Sequence, residues 1–423
     1  MKNDISINIF EFFLSVSGAV ELINPMVSAH HRHVAYIALS LGDYLTLSEQ
    51  EKQELFVAAA LHDVGALSIA EWKNNLLFET SVPHLHAEIG YLFLNDFPQF
   101  KNVAEIIRYH HTPWGNGSSG VSIPPASQII QLADRIDILI RSGQFILQQV
   151  DEISHKIQAN SGSRFNPELI SVYSKLARRE SFWLDLSSSS LNAILAEKVD
   201  FPAWNFSLQD FEDLVRMFSR LIDFKSYFTS THSAGVSATA EALAGLIGFT
   251  ESEQQLIRVA GYLHDIGKLV VPSEILDKPE RLTPDEFAIM RSHTYYTHQI
   301  IQSLREVEGM NVINKWAALH HERMDGSGYP FHYADGDIPQ GSKIVAVADV
   351  FTALAENRPY RAGLPKNQVM PILRTMGENE ELDNEIVAIL DNHYQEVNQS
   401  RETAQKKALA EYRRFKEQIR RIA

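Results

Sequence analysis

Apolar residues recur three and four positions apart along most of this chain, and strand-like alternation is scarce. In QQLIRVAGYLHD (254–265), Leu256, Ile257, Ala260 and Leu263 share one helical face. The pattern predicts an all-α protein. Helix starts are written in as well. Ser48-x-x-Glu51 and Thr250-x-x-Glu253 are capping boxes, in which side chains satisfy the free N–H groups of a first turn. From about Arg401 the chain is rich in Lys and Arg, with Ala408, Leu409, Tyr412, Phe415 and Ile419 at helical spacings. That apolar face is narrow, which predicts a packing or homodimer-forming helix rather than a membrane anchor.

The two capping boxes belong to an internal duplication. HHRHVAYIALSLGDYLTLSEQEKQELFVAAALHDVGAL in the first half corresponds to HSAGVSATAEALAGLIGFTESEQQLIRVAGYLHDIGKL in the second. His30 pairs with His232, Ser48 with Thr250, Glu51 with Glu253 and His62–Asp63 with His264–Asp265, all at one offset of 202 residues (232 − 30). The correspondence continues across small insertions. His86 pairs with His293, His110–His111 with His320–His321 and Asp134 with Asp349. Two tandem helical bundles follow, expected over 1–200 and 201–423. A polar helical stretch (145–205) containing Ser187–Ser190 lies between them, and FPAWNF (201–206) marks the entry to the second.

Composition narrows the chemistry. With 423 residues and 45% hydrophobic content, there is ample material for packed cores. The net charge of −15 excludes a general nucleic-acid-binding surface. There is no cysteine, so any metal ligands must be nitrogen or oxygen. No apolar run reaches the roughly 18 residues that a membrane span requires. The N-terminus MKNDISINIF does not read as a signal peptide, so a cytoplasmic protein is expected.

The chemistry-bearing runs are HDIGK (264–268) and HHERMDGSGYP (320–330). Adjacent imidazoles are poor core residues, and glycines permit close backbone approach. Together with His232, His293 and Asp349, these runs gather seven groups able to bind a mid-row divalent metal. Seven are too many for one tetrahedral ion. They suit two ions sharing a carboxylate, an arrangement that hydrolyses phosphoesters.

This pattern resembles the HD-GYP family, a subgroup of HD-domain phosphohydrolases, over about residues 205–400. The resemblance runs through H…HDIGK…H…HHERMDGSGYP…D and ends in NRPYR (357–361). It implies hydrolysis of a cyclic dinucleotide, chiefly cyclic di-GMP, by a dinuclear non-haem iron or manganese centre. His232, His264 and Asp349 then correspond to the ligands of one ion, and His293, His320 and His321 to those of the other. Asp265 corresponds to the bridging carboxylate and Lys268 to the lysine on the scissile phosphate. Arg358 and Arg361 correspond to ligand-binding arginines, and Gly326, Gly328 and Tyr329 to pocket-shaping residues. The arginine motif departs from the family by continuing as Ala362 and Gly363. Some members carry a glutamate one turn before the first histidine, which supports a third ion. Phe228 stands there, so two ions are expected.

The first copy keeps the ligand set His30, His62, Asp63, His86, His110, His111 and Asp134. It has Ala66 in place of Lys268 and no counterpart of the GYP or NRPYR runs. Three readings stay open for it: a structural partner, a metal-binding sensor, or a hydrolase for another nucleotide. His31, His33 and His84 are expected to play no catalytic part. For the second copy, cyclic di-GMP is the default substrate and hydrolysis yields a linear dinucleotide, with further cleavage to GMP open. The first alternative is 3′3′-cyclic GMP–AMP, because some tandem proteins of this layout resemble hydrolases of that molecule. An alternative of another class is a non-catalytic dinucleotide receptor acting through protein contacts.

Overall fold

The structure, a computed structural model, describes residues 4–7, 9–21, 29–66, 84–115, 122–201, 204–225, 231–302, 309–357 and 361–422. Its contacts divide into two units. One comprises Ile9–Pro202 with Glu417–Ala423, the other Met1–Asn8 with Ala203–Lys416.

The first unit holds α1 (Ile9–Glu21), α2 (His30–Gly42), α3 (Glu49–Leu61), α4 (His84–Asn95), α5 (Lys101–Tyr109) and α6 (Pro125–Ile138). They are followed by α7 (Val150–Gln158), α8 (Pro167–Leu176), α9 (Glu180–Leu186) and α10 (Leu191–Lys198). Helix α2 packs on α3 and α6, and α4 packs on α5. Val34, Ile37, Leu41, Leu55, Phe56, Ile107 and Ile130 are fully buried between them.

The second unit begins with a short ribbon. Strands β1 (Asp4–Ile7) and β2 (Trp204–Ser207) pair antiparallel, with Asp4 opposite Ser207. This is the one sheet among the described residues. Four-residue strands carry too little alternation to be seen in a sequence. Then come α11 (Leu208–Lys225), α12 (His232–Ile247), α13 (Glu251–Leu263), α14 (Ser273–Leu276) and α15 (Pro284–Gln302). They are followed by α16 (Met310–Ala318), α17 (Gln340–Ala355), α18 (Lys366–Glu378), α19 (Asn384–Asn392) and α20 (Tyr394–Ile422), of which the residues up to Lys416 belong to this unit. Helix α12 packs on α13 and α17, and α15 packs on α16 and on the tight turn Ile266–Val270. No helix of the described residues is long and apolar enough to cross a membrane.

Both capping boxes form. The Ser48 hydroxyl accepts from the Glu51 N–H at 3.3 Å while the Glu51 carboxylate accepts from the Ser48 N–H at 2.8 Å. Thr250 and Glu253 repeat this at 3.3 and 2.9 Å. Each box fixes where α3 or α13 starts, and so fixes which residues reach its far end. Those residues are His62 and His264, each serving as a C-cap.

Candidate metal centre

The turn after α13 brings Asp265 against α15 because residue 267 is glycine. A Cβ there would lie 1.9 Å from the His293 carbonyl oxygen and 2.6 Å from the Thr297 nitrogen. The first copy obeys the same constraint. A Cβ at Gly65 would lie 2.1 Å from the His86 oxygen and 2.7 Å from the Gly90 nitrogen. The glycine of HD-x-G thus lets the turn touch the helix that carries the next histidine. Thr297 locks the contact by donating to the His264 carbonyl and accepting from the Gly267 N–H, both at 3.0 Å.

The ligand atoms converge in two groups. His232, His264 and Asp349 form one, and His293, His320 and His321 the other. Asp265 stands between them. Its Oδ2 lies 3.2 Å from His264 Nε2, and its Oδ1 lies 3.4 Å from His293 Nε2 and 4.0 Å from His320 Nε2. One carboxylate oxygen therefore faces each group. The His232 Nε2–Asp349 Oδ1 separation is 2.9 Å. Ligands bound at about 2.1 Å from a common ion stand roughly 3.0–3.4 Å apart, close to the 2.9, 3.2 and 3.4 Å spacings, while His320 stands farther from Asp265.

The imidazoles are aimed by the backbone. Nδ1 of His264 donates to the Gly261 carbonyl, that of His293 to Met290 and that of His320 to Ala317, at 2.8, 2.7 and 2.6 Å. A histidine that donates through Nδ1 presents a lone pair on Nε2. Nε2 of His264, His293 and His320 and Oδ1 of Asp265 are buried with no hydrogen-bond partner. Buried polar atoms in a native core are almost always satisfied. A cluster of orphaned lone pairs facing one another suits a cation.

The electrostatics agree. Burial, with the charges of Asp265 and Lys268 acting in opposite directions, leaves His293 down at about 3. Burial likewise takes His321 to about 4. Both are neutral donors at physiological pH. Burial opposes ionisation of Asp265, yet His264 and Lys268 hold its carboxyl well below the usual range. His232 differs from the other histidines. Burial would lower it, but Glu356 and Asp349 outweigh that and raise it to about 10.

The remaining expected residues distribute unevenly. Lys268 Nζ donates to Asp265 Oδ2 at 2.5 Å. The Tyr329 ring lies tilted beside His321, with centroids 5.0 Å apart, and its N–H donates to the His321 carbonyl at 3.2 Å. Gly328 allows the tight return: a Cβ would lie 2.4 Å from the Arg323 nitrogen. Gly326 has φ +77°, a left-handed turn. Arg361 donates to the Ala353 carbonyl at 2.7 Å, one turn beyond Asp349 on α17. Arg358 and Phe228 lie outside the described residues. His298 hydrogen-bonds Asn314 at 3.1 Å.

The roles of two neighbours of the centre were not legible in the sequence. Glu322 is buried and accepts from the Phe331 and Tyr333 N–H groups at 2.7 and 3.0 Å, which anchors the GYP loop. Glu356 accepts from His232 Nδ1 at 3.2 Å. Glu322 lies inside the HHERMDGSGYP run and Glu356 just before NRPYR, but the partner of each is recognised only once the backbone brings it there.

The first copy assembles the same way. Asp63, His86, His110 and His111 form one group, and His30, His62 and Asp134 another. Asp63 Oδ1 lies 3.1 Å from His86 Nε2, and Oδ2 lies 3.6 Å from His62 Nε2. Two features set it apart. The buried guanidinium of Arg135 grips Asp134 Oδ2 at 2.7 and 3.0 Å, where the second copy has Val350. His31, expected to be a bystander, is buried and groups with His62 and Asp63.

Two family models, both described as HD domain, match residues 27–139 and 216–386. The 3′3′-cGAMP-specific phosphodiesterase 1 of Vibrio cholerae is 29% identical over 409 residues, covering 93% of this chain and 94% of that protein. The cyclic di-GMP phosphodiesterase response regulator RpfG of Xanthomonas campestris is 38% identical over 150 residues, which cover 36% of this chain and 39% of RpfG. Among solved structures, a cyclic GMP-AMP specific phosphodiesterase of V. cholerae superposes with a TM-score of 0.64 at 24% identity, over 92% of this chain and 98% of that one. That likeness concerns the fold. With both halves matched and the HD and GYP runs in place, the chain belongs to the HD-domain family, as a tandem protein whose second domain is of the HD-GYP kind.

Proposed function

We propose that this chain is a metal-dependent phosphodiesterase that opens 3′3′-cyclic GMP–AMP to a linear dinucleotide. The pair of ligand groups meeting at Asp265, beside the GYP loop, carries the reading of the chemistry. The mixed substrate takes precedence over the cyclic di-GMP default because the similarity to a cGAMP-specific enzyme extends through both halves. Similarity to the cyclic di-GMP enzyme spans about a third of the chain.

Two divalent ions, held by His232, His264 and Asp349 and by His293, His320 and His321 with Asp265 shared, would supply water activation at neutral pH and charge neutralisation at the phosphoryl group. The chain's own groups do the rest. Burial keeps His293 and His320 neutral, and the carbonyl tethers of His264, His293 and His320 turn their Nε2 atoms inward. Lys268 is the cation beside Asp265 and meets a phosphoryl oxygen, where fixed charge stabilises the transition state. Burial, with Asp349 and Asp265 nearby, pushes the Tyr329 hydroxyl well above its usual range. It therefore remains a phenol at physiological pH and offers a proton to an anionic ligand without competing for one. The first copy holds metal but does not cleave this substrate, since Ala66 replaces the lysine and Arg135 occupies Asp134.

The test is turnover by the full chain, loaded anaerobically with iron(II) or manganese(II), on cyclic GMP–AMP, cyclic di-GMP and cyclic di-AMP. The highest kcat/KM is expected on cyclic GMP–AMP. Preference for cyclic di-GMP overturns the substrate assignment. Tight binding without cleavage of any of the three favours a receptor and defeats the enzyme reading. Asp265→Ala is expected to lose both the paired ions and activity.

A further inference from the structure

We infer that Glu356 is a positioning residue for His232, itself held in place by the C-terminal helix α20 through Gln405. The inference rests on the metal reading above. His264, His293 and His320 are oriented by backbone carbonyls three residues earlier. His232 is the first residue of α12, so no turn of that helix precedes it. Its Nδ1 instead meets the two oxygens of Glu356 at 3.2 and 3.3 Å, while Nε2 points at Asp349. A carboxylate on the far nitrogen fixes a ligating imidazole's tautomer and raises its basicity.

Glu356 is 3% exposed and sits just past the end of α17. Gln405 donates to its Oε2 at 2.9 Å, and Arg401 in turn donates to Gln405. Gly235, one turn after His232, makes room: a Cβ there would lie 2.8 Å from Gln405 Nε2. A continuous line of hydrogen bonds thus runs from a metal-facing histidine to α20.

The first copy shows that the carboxylate is built rather than incidental. His30, the counterpart of His232, also opens its helix, and its Nδ1 donates to Asp137 at 2.6 Å. Asp137 follows Asp134 by three residues, whereas Glu356 follows Asp349 by seven. Different sequence positions deliver the same group to the same atom of the corresponding histidine.

The test is manganese(II) titration of the metal-free full chain, with bound ion followed by electron paramagnetic resonance. Glu356→Ala is expected to weaken one set of sites about 10- to 100-fold. Glu356→Gln, which keeps an acceptor oxygen, is expected to restore most of the affinity, and Gln405→Ala to show a smaller loss. In steady-state assays Glu356→Ala should lower kcat with little change in KM. Glu356, Arg401 and Gln405 line a cavity of about 750 Å³, so these truncations widen existing space. Should Glu356→Ala fail to fold, unchanged manganese affinity in Gln405→Ala overturns the inference. A wild-type chain that binds no manganese overturns the metal reading itself. Binding that is intact in Glu356→Ala overturns only the role of Glu356.

Discussion

Gly267→Ala should cripple the second domain through one methyl group. The new Cβ would stand 1.9 Å from the His293 carbonyl oxygen and 2.6 Å from the Thr297 nitrogen, both backbone atoms. An ordinary carbon–oxygen contact is about 3.2 Å or more, so the turn and α15 must separate by roughly 1 Å. Forced overpacking of this kind costs about 1–3 kcal/mol. The larger effect falls on coordination. His293 rides on α15 and His264 and Asp265 on the turn, so the same shift pulls the two ligand groups apart. Metal–ligand distances tolerate only about 0.2 Å. The expected outcome is a lower unfolding midpoint, loss of metal and at least a 100-fold fall in turnover. Element analysis, denaturant unfolding and dinucleotide hydrolysis read the three effects. The matched change Gly65→Ala meets the same clash in the first copy and is expected to destabilise without removing turnover. Gly267→Ala protein with wild-type metal content and activity would refute the reasoning.

Lys268→Ala is expected to lower kcat about 100-fold while metal content stays at the wild-type level, measured on one preparation. Asp63→Ala should reduce the metal bound per full chain and leave cyclic GMP–AMP hydrolysis nearly intact; unchanged metal content would favour a purely structural first copy. For chelated protein, the pH dependence follows from the buried neutral histidines. The unfolded chain protonates His293 and His321 near their ordinary pKa of about 6.5, whereas the folded chain resists until about 3 and 4. The unfolded state therefore binds more protons between these limits, and stability falls as pH drops from about 6.5 toward 4. His232, raised in the fold, adds stability that is already complete below 6.5 and does not offset this loss. Urea midpoints at pH 7 and pH 5 check the sign, and equal midpoints would contradict it.

The sequence alone carried the helical character, the duplication and the grouping of the seven candidate ligands. It could do so because capping boxes and apolar periodicity are local, and because HD, HH and GYP runs place chemistry at adjacent positions. The helix starts at Ser48 and Thr250 were legible for that reason, and so was the delivery of His62 and His264 to the helix ends. What could not be read are partnerships between distant residues with no shared motif. The ribbon joining Asp4–Ile7 to Trp204–Ser207 is one. The grip of Arg135 on Asp134 is another, because nothing in the run LADRIDILI says that the guanidinium folds inward. Glu356 is the clearest case. Its glutamate looks like any helix-end carboxylate until α12, α17 and α20 pack together and set it on His232. Ligand identity is a property of residue type and order. Ligand orientation depends on burial and on hydrogen bonds between segments far apart in the chain, and these exist only once the bundle has closed.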